Sequence, residues 1–405
     1  LWKEISVEKK ETIRGFLVAF NSEILRRAHK HFNFRNGSIG NFFLTGARLF
    51  FGNLQAAIFL FSAITAIREP THVIPVINTN HTAAIAAILE DGHILRGQCE
   101  ISHPGQHQSN RFRVMNPIDA FSKLAIPNSP ITATDEGNNS NLIFSKCDEE
   151  KLSAAIRRIY YMNEYGQEIY PLPNPKVIEQ INELNTLVYS IGSLYTSILP
   201  CLILRGIGNA IARSKTLQHK ILILNGTPDR ETDGYTAIDF IGTITNALNE
   251  SQLIDARHDY YDTHVDQEQF YHNGMYPHHS SDAYIRPVDH GFKKWPPESS
   301  PIIRPTIHVN TISEPILQLR TSSSTPSTGV CTPPFPHELV PNSPPSAYIT
   351  HLIYLEDSLI PVDIEAIEKL GIKCFSVKSD PTASKPQYGS DTLQDVLESI
   401  LNTPN

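Results

Sequence analysis

An α/β fold built on a parallel sheet and interrupted by long polar inserts is predicted by three observations. Short apolar runs alternate with helix-length runs over about 174–249 and again over 348–400. The connections between these runs are short and carry Gly, Ser, Thr and Asn, as βαβ units require. Two stretches, 103–150 and 257–346, show neither a strand nor a helix period, and the second holds thirteen of the 29 prolines between Pro287 and Pro345. The expected organisation is a core over 1–256 with a loop insert at about 103–150, a Pro/Ser/His-rich insert over 257–346 that reads as disordered by composition, and a return to the same core over 347–405.

The elements follow in order. Residues 1–30 place Ile13, Phe16, Leu17, Phe20, Ile24 and Leu25 at helical spacing and predict an amphipathic helix. A turn bearing Gly37 and Gly40 opens two apolar helices, about 40–50 and 53–67, separated at Gly52 and ended by Pro70. The run 72–77 predicts a short buried strand. Asp91-Gly92 between the apolar runs 84–90 and 93–101 predicts a hairpin, although the alanines of the first run also suit a helix. Asn174-Pro175 has the form of an N-cap with proline in the first turn, starting a helix to about 182. Thereafter a strand is expected over 186–189, a helix over 197–213, a strand over 220–224 and a helix over 236–249. Beyond the second insert come a strand over 348–355, a helix over 363–370, a strand over 373–377 and a helix over 391–400.

Composition excludes several classes. With 34 Lys and Arg against 42 Asp and Glu the chain carries a formal charge of −8, so neither nucleic acid nor an anionic membrane is an expected partner. The most apolar stretch, 56–67, falls short of the roughly 18 residues that span a bilayer. Five widely spaced cysteines without a CxxC pair suggest neither a disulfide framework nor a zinc site, and fit a reducing, cytoplasmic setting. Six histidines lie between His258 and His290, yet no HExxH or comparable spacing sets them on one rigid face, so no metal site is expected there. No GxSxG elbow or cysteine-nucleophile signature is present, and no catalytic residue stands out.

Three segments could hold a ligand. In 186–200 an apolar strand ends, Gly192 permits a tight turn, and Ser193, Thr196 and Ser197 gather before a helix. Backbone N–H groups there would face the C-terminal edge of the sheet, where open α/β folds bind anions. The same hydroxyls would equally serve as plain helix caps. After the next strand, Asn225, Glu231, Thr232 and Asp233 sit in a second polar loop on the same edge, suited to a ribose, a sugar or a hydrated magnesium ion, or simply to capping a helix. Gly40 and Asn41 form the third candidate, a glycine-bearing turn into a helix without a convincing strand before it.

From Gly192 through Pro200, with Gly206 and Ile207 beyond, the residues resemble the 2-phospho-L-lactate transferase (CofD) superfamily, and most closely its gluconeogenesis-factor (YvcK) branch, which typically reads GPGSLYTSILPNLL. Here Ser190-Ile191 replace Gly-Pro and Cys201 replaces Asn. Gly40-Asn41, Val73-Ile74-Pro75-Val76, Leu89-Glu90-Asp91-Gly92 and the run 231–237 match further motifs in order. Asp229-Arg230 stand where the family usually has Pro-Gly, and Ile360-Pro361-Val362-Asp363 with Gly371-Ile372 extend the match. The resemblance implies a Rossmann-like parallel sheet with helices on both faces, usually in a homo-oligomer. It implies a nucleotide or nucleotide-sugar diphosphate as ligand, with phosphate cradled by Gly192, Ser193, Thr196 and Ser197 and the pocket completed by Gly40, Asn41 and the 225–233 loop. Transferase members use magnesium to move a phospholactyl group; the gluconeogenesis-factor branch looks like UDP-sugar-binding regulators. Both functions remain open from the residues, as does a scaffold whose site has decayed.

The family opens with a strand, a GGGTG-type loop and a DDGGS motif, which 1–30 does not match, and the first residue is Leu1 rather than Met. A preceding segment carrying that strand and loop is therefore expected, and without it neighbouring strands would expose unpaired backbone. The two polar inserts resemble those of eukaryotic members.

Overall fold

A computed structural model describes residues 5–26, 34, 37–77, 79, 83–102, 151–264 and 335–402. The chain divides into two units, Leu1–Ile254 with Asn342–Asn405, and Asp255–Pro341. Most of the two predicted inserts lies outside the described residues. In the second unit Phe335 meets Tyr260 edge-on at 5.5 Å, with Arg257 over its ring at 5.7 Å.

The first unit carries two sheets. Four strands, β5 (Thr186–Tyr189), β6 (His219–Ile223), β7 (His351–Leu355) and β8 (Lys373–Val377), pair in sequence order and all in parallel. All five positions of β6 are buried, as expected of a parallel strand covered on both faces. Its alternation divides the core. Ile221 and Ile223 pack with Ile353, Leu355 and Val377 against Val396, Leu397 and Ile400 of helix α10 (Ser390–Asn402). Leu222 and Leu224 point the other way, into the cluster that holds Phe240, Ile241, Ile244 and Leu248 of α8 (Ala237–His264) and Ile367 of α9 (Ile364–Lys369). Helices therefore cover both faces of the parallel sheet.

The N-terminal helices are α1 (Val7–Arg26), α2 (Ile39–Phe51) and α3 (Leu54–Thr65). Gly52 ends α2 in the left-handed conformation at φ 65°, and Asn53 caps α3 through its side chain on the N–H of Ala56 at 2.9 Å. Phe16, Phe43 and Phe61 form their shared core with Ala47 and Ala57. The hairpin forms as β1 (Ala84–Leu89) and β2 (Ile94–Arg96), with Gly92 at φ 86° in the turn.

Four expectations need correction. The second hairpin run does not continue to residue 101: Gly97 turns left-handed at φ 84°, Glu100 accepts the N–H of Arg96 at 2.7 Å, and α4 (Gln98–Ser102) follows. The run 72–77 is not a strand. Pro75 has no N–H to give a ladder, and only an isolated bridge between Ile77 and Pro173 forms. The stretch 151–173, not assigned to any element from the sequence, supplies β3 (Ile156–Met162) and β4 (Glu168–Ile169), which complete an antiparallel sheet in the order β2-β1-β3-β4.

The helix expected over 197–213 is broken. A π-turn (Leu194–Ile198) runs into α6 (Leu199–Leu202), and after Gly206 at φ 83° comes α7 (Ile207–Arg213). The Ser251 hydroxyl closes the gap, donating to the carbonyl of Leu204 at 2.5 Å and accepting the N–H of Gly208 at 3.0 Å. Asn174 does cap the preceding helix α5 (Pro175–Glu183), accepting the N–H of Lys176 at 3.1 Å.

The starting ends of β6 and β7 bury two histidines. His219 and His351 are 4% and 3% exposed, with ring centroids 5.6 Å apart. Burial, with His219 and Lys373 nearby, pushes the His351 imidazole down from 6.5 to about 4. The folded protein holds this ring neutral, whereas the unfolded chain takes up a proton below about pH 6.5. Its contribution is therefore complete above pH 6.5 and lost as pH falls toward 4, about 3 kcal/mol at 1.36 kcal/mol per unit. Urea melts at pH 7 and pH 5 should show about 2 kcal/mol of this loss. In His351→Gln, which can still bond Thr350, the loss should shrink; equal loss in both proteins would put the acid sensitivity elsewhere.

Candidate functional site

The ends of β5 and β6 lie side by side in the parallel sheet, so the segments that leave them share one edge. After β5 the chain turns through Gly192. A Cβ on Gly192 would lie 2.8 Å from Cβ of Ser197, so only glycine lets the turn close this tightly. The N–H groups of Ser197 and Ile198 both reach the carbonyl of Ser193, at 2.9 and 3.2 Å, and give the wide π geometry that recurs at functional sites. Gly192 and Ser193 are half-buried, Ser197 is exposed and Thr196 is buried.

The loop after β6 reaches into that turn. Glu231 is 3% exposed, and its carboxylate accepts four hydrogen bonds. Oε2 takes the N–H of Tyr195 at 3.0 Å and of Thr196 at 3.1 Å. Oε1 takes the Thr196 hydroxyl at 2.6 Å and the Ser102 hydroxyl at 2.7 Å. Burial pushes the carboxyl up, and the Ser102 and Thr196 hydroxyls oppose that by stabilising the charged form. The chain's own carboxylate thus fills the inner part of the predicted cradle. The N–H groups of the half-buried Gly192 and Ser193 donate to no backbone or side-chain acceptor among the described residues, and with the Ser193 and Ser197 hydroxyls they remain available, whereas Leu194 is 0% exposed.

Asp229 and Arg230 hold this loop. Oδ1 of Asp229 accepts the N–H of Glu231 at 3.1 Å, the N–H of Thr232 at 3.0 Å and the Thr232 hydroxyl at 2.7 Å. Nη1 of Arg230 donates to the carbonyls of Glu100 and Ile101 at 2.9 and 3.4 Å, covering the open end of α4. Gly226 permits a close crossing, since a Cβ there would stand 2.6 Å from the carbonyl oxygen of Pro386. The antiparallel sheet is tied to the same turn: Tyr161 donates to the carbonyl of Pro200 at 2.8 Å, and the Tyr195 hydroxyl reaches the carbonyl of Ile156 at 3.3 Å.

Of the predicted residues, the structure joins Thr196, Glu231 and Thr232 in one buried network beside Gly192, Ser193 and Ser197. Asn225 is half-buried at the end of β6, and Asp233 is exposed and paired with Lys151 at 2.8 Å. Gly40 and Asn41 sit in the first turn of α2, where Asn41 bonds Ser38 and Thr45 and Gly40 lies beside Phe61. They belong to the N-terminal helix cluster rather than to the Glu231 network.

Ser102 lies outside the predicted site, and Asp229 and Arg230, within the 225–233 loop, are not singled out by the sequence as ligand residues. The Asp-x-x-Thr spacing of 229–232 could have marked Asp229 as a turn-former; nothing local marks Ser102. Both oxygens of Glu231 and Oδ1 of Asp229 are taken by internal donors. Among the described residues no three His, Cys, Asp or Glu side chains gather as a metal site would need. None of the described helices alone is long and apolar enough to cross a membrane.

Comparison with known proteins adds a family. The profile described as 2-phospho-L-lactate transferase CofD matches residues 15–298. An uncharacterized protein of Saccharomyces cerevisiae is 38% identical over 274 residues, 62% of this chain and 61% of its own length. A protein of Halalkalibacterium halodurans named gluconeogenesis factor is 25% identical over 253 residues, 60% of each chain. The matches thus span about three-fifths of these curated relatives. The crystal structure of a UPF0052-family protein from Bacillus halodurans superposes with a TM-score of 0.46 at 16% identity, covering 92% of this chain and 77% of the other.

Proposed function

The chain belongs to the 2-phospho-L-lactate transferase CofD family, and from that premise we propose that it binds a nucleotide or nucleotide-sugar diphosphate at the edge shared by β5 and β6. One observation carries the reading: the N–H groups of Gly192 and Ser193, without an acceptor among the described residues, and the hydroxyls of Ser193 and Ser197 belong to a turn that a loop from the neighbouring strand holds in place. Such a turn suits the oxygens of a phosphate, whose charge the unpaired N–H groups offset without cost of reorganisation. Asn225 and Asp233, from the adjacent loop, would take the polar parts of the sugar. Magnesium would come with the ligand's phosphates, since both oxygens of Glu231 are taken and Asp233 already pairs with an exposed lysine.

Two activities fit this ligand. A transferase would use the site to position a phospho-linked group, where orientation and charge neutralisation supply most of the rate. The second reading is a UDP-sugar-binding regulator that turns nothing over, as the resemblance to the gluconeogenesis-factor branch implies, and a relative bears the name gluconeogenesis factor. Thermal shift against GDP, GTP, UDP, UDP-N-acetylglucosamine and NAD, with and without magnesium, separates them, because a ligand that binds only the folded state must stabilise it. At a hundredfold excess over its Kd the stabilisation is about 2.7 kcal/mol. A selective response to a guanine nucleotide points to the transferase and one to a UDP-sugar to the regulator. No response to any of the five would remove the nucleotide site and leave a scaffold.

A further inference from the structure

We propose that Glu231 is the positioning residue of this site, a resident carboxylate that takes the inner amides for itself and so sets the ligand's phosphate one step outward, on the N–H groups of Gly192 and Ser193 and the hydroxyls of Ser193 and Ser197. The inference rests on the anion-binding reading above and specifies its subsite.

The geometry leaves little choice. An amide N–H has one hydrogen to give, and those of Tyr195 and Thr196 both give it to Oε2 at hydrogen-bond distance. The two hydroxyls nearest the carboxylate, Ser102 and Thr196, both point at Oε1. All four donors that enclose Glu231 are therefore used, and a second anion placed among them would displace a side chain that is 3% exposed. The donors without an acceptor are the ones before them in the chain, at Gly192 and Ser193. Glu231 also fixes where those donors stand, because it arrives from the other strand's loop and is braced on both sides. Asp229 holds the Glu231 and Thr232 amides, and Arg230 and Ser102 tie the same loop to α4. The charged groups around it are Asp229, which disfavours its ionised form, and Arg230, whose Nη1 faces the α4 carbonyls.

Reach and charge are separable here. Glutamine has the length of glutamate: its oxygen can accept the two amides while its NH2 faces the two hydroxyl oxygens. Aspartate keeps the charge but is one methylene shorter, and cannot bond the turn and Ser102 together.

The experiment measures binding of UDP and of inorganic pyrophosphate by calorimetry, and hydrogen exchange at the Tyr195 and Thr196 amides, in wild type, Glu231→Gln, Glu231→Asp and Ser102→Ala. Glu231→Gln should bind both probes as tightly as wild type or better, with both amides still protected. Glu231→Asp should bind at least tenfold more weakly, and its two amides should exchange at least tenfold faster. Ser102→Ala keeps the amide bonds and should cost no more than about fivefold in affinity. The proposal is overturned if Glu231→Asp binds and exchanges like wild type, or if Glu231→Gln loses binding while its amides stay protected, which would make the charge itself the functional element. Should wild type bind neither probe, the nucleotide reading falls, and the exchange rates still decide whether Glu231 sets the turn.

Discussion

Gly208→Ala should destabilise the protein by about 3 kcal/mol or more, among the largest losses expected of any single methyl group in this chain. The reason is backbone against backbone. A Cβ at position 208 would stand 2.2 Å from the carbonyl oxygen of Leu248 and 3.2 Å from the amide nitrogen of Gln252, so neither a rotamer change nor a flexible tip can make room. Relief requires α7 to move off α8, and that motion also breaks the bond from the Gly208 N–H to the Ser251 hydroxyl that closes the gap before α7. Because Ser251 also bonds Leu204, the stretch running back from α7 toward the π-turn should loosen with it.

The control lies in α8 itself. Gly242 is buried yet has nothing within 4 Å of a built Cβ, so Gly242→Ala should be neutral or stabilising by about 0.5–1 kcal/mol, the ordinary gain of alanine over glycine inside a helix. At about 2–4 °C per kcal/mol for a core of this size, the two melting temperatures should part by roughly 8 °C or more. Equal melting temperatures would show that α7 and α8 are not held at the spacing described.

What could be read from the chain in advance follows a physical line. Elements whose signals are local were legible: Asn174-Pro175 as cap and first turn, Asp91-Gly92 as a hairpin, and 373–377 as a strand that the structure reproduces residue for residue. The family motif around 192–200 likewise pointed to the edge where the two loops meet. Elements whose stability comes from distant partners were not legible. In β3 the run Ile156-Arg157-Arg158-Ile159 looks too charged for a buried strand, and only its pairing explains it, since Arg158 forms a two-pronged bond to Glu168 of β4 at 2.8 Å. The break in 197–213 depends on Ser251, far along the chain.

Glu231 shows the same limit within the site. Its place in a polar loop at the ligand edge suggested a side chain turned toward ligand, and it was grouped with Asn225 and Asp233. Its inward turn depends on Tyr195, Thr196 and Ser102 arriving at the same point from two other segments. Asp229-Arg230 depart from the family's usual Pro-Gly. In the structure they brace the loop, so they give no support to a decayed site.

Ser197→Tyr should abolish nucleotide binding, at least a hundredfold loss in UDP affinity, without unfolding the protein. The fold tolerates it because Ser197 is exposed and contributes to the π-turn only through its backbone, the N–H to Ser193 and the carbonyl that Cys201 approaches at 3.6 Å. Surface changes of this kind stay within about 0.5 kcal/mol. Binding does not tolerate it, because the side chain leaves the turn directly beside Gly192, where even a Cβ on the facing residue would come within 2.8 Å. A tyrosine ring packed against Gly192 would lie over the N–H groups of Gly192 and Ser193. It removes a hydroxyl donor and covers the others at once.

Ser197→Ala separates the two effects. It removes only the hydroxyl, and a hydrogen bond to a charged oxygen is worth about 1.5–3 kcal/mol, so a loss of roughly ten- to a hundredfold is expected with the N–H groups still uncovered. A graded series, wild type above alanine above tyrosine, at constant melting temperature would locate the phosphate at this turn. Wild-type affinity in Ser197→Tyr would take the phosphate off the turn altogether, and would leave Asn225 and Asp233 on the neighbouring loop as the residues to substitute next.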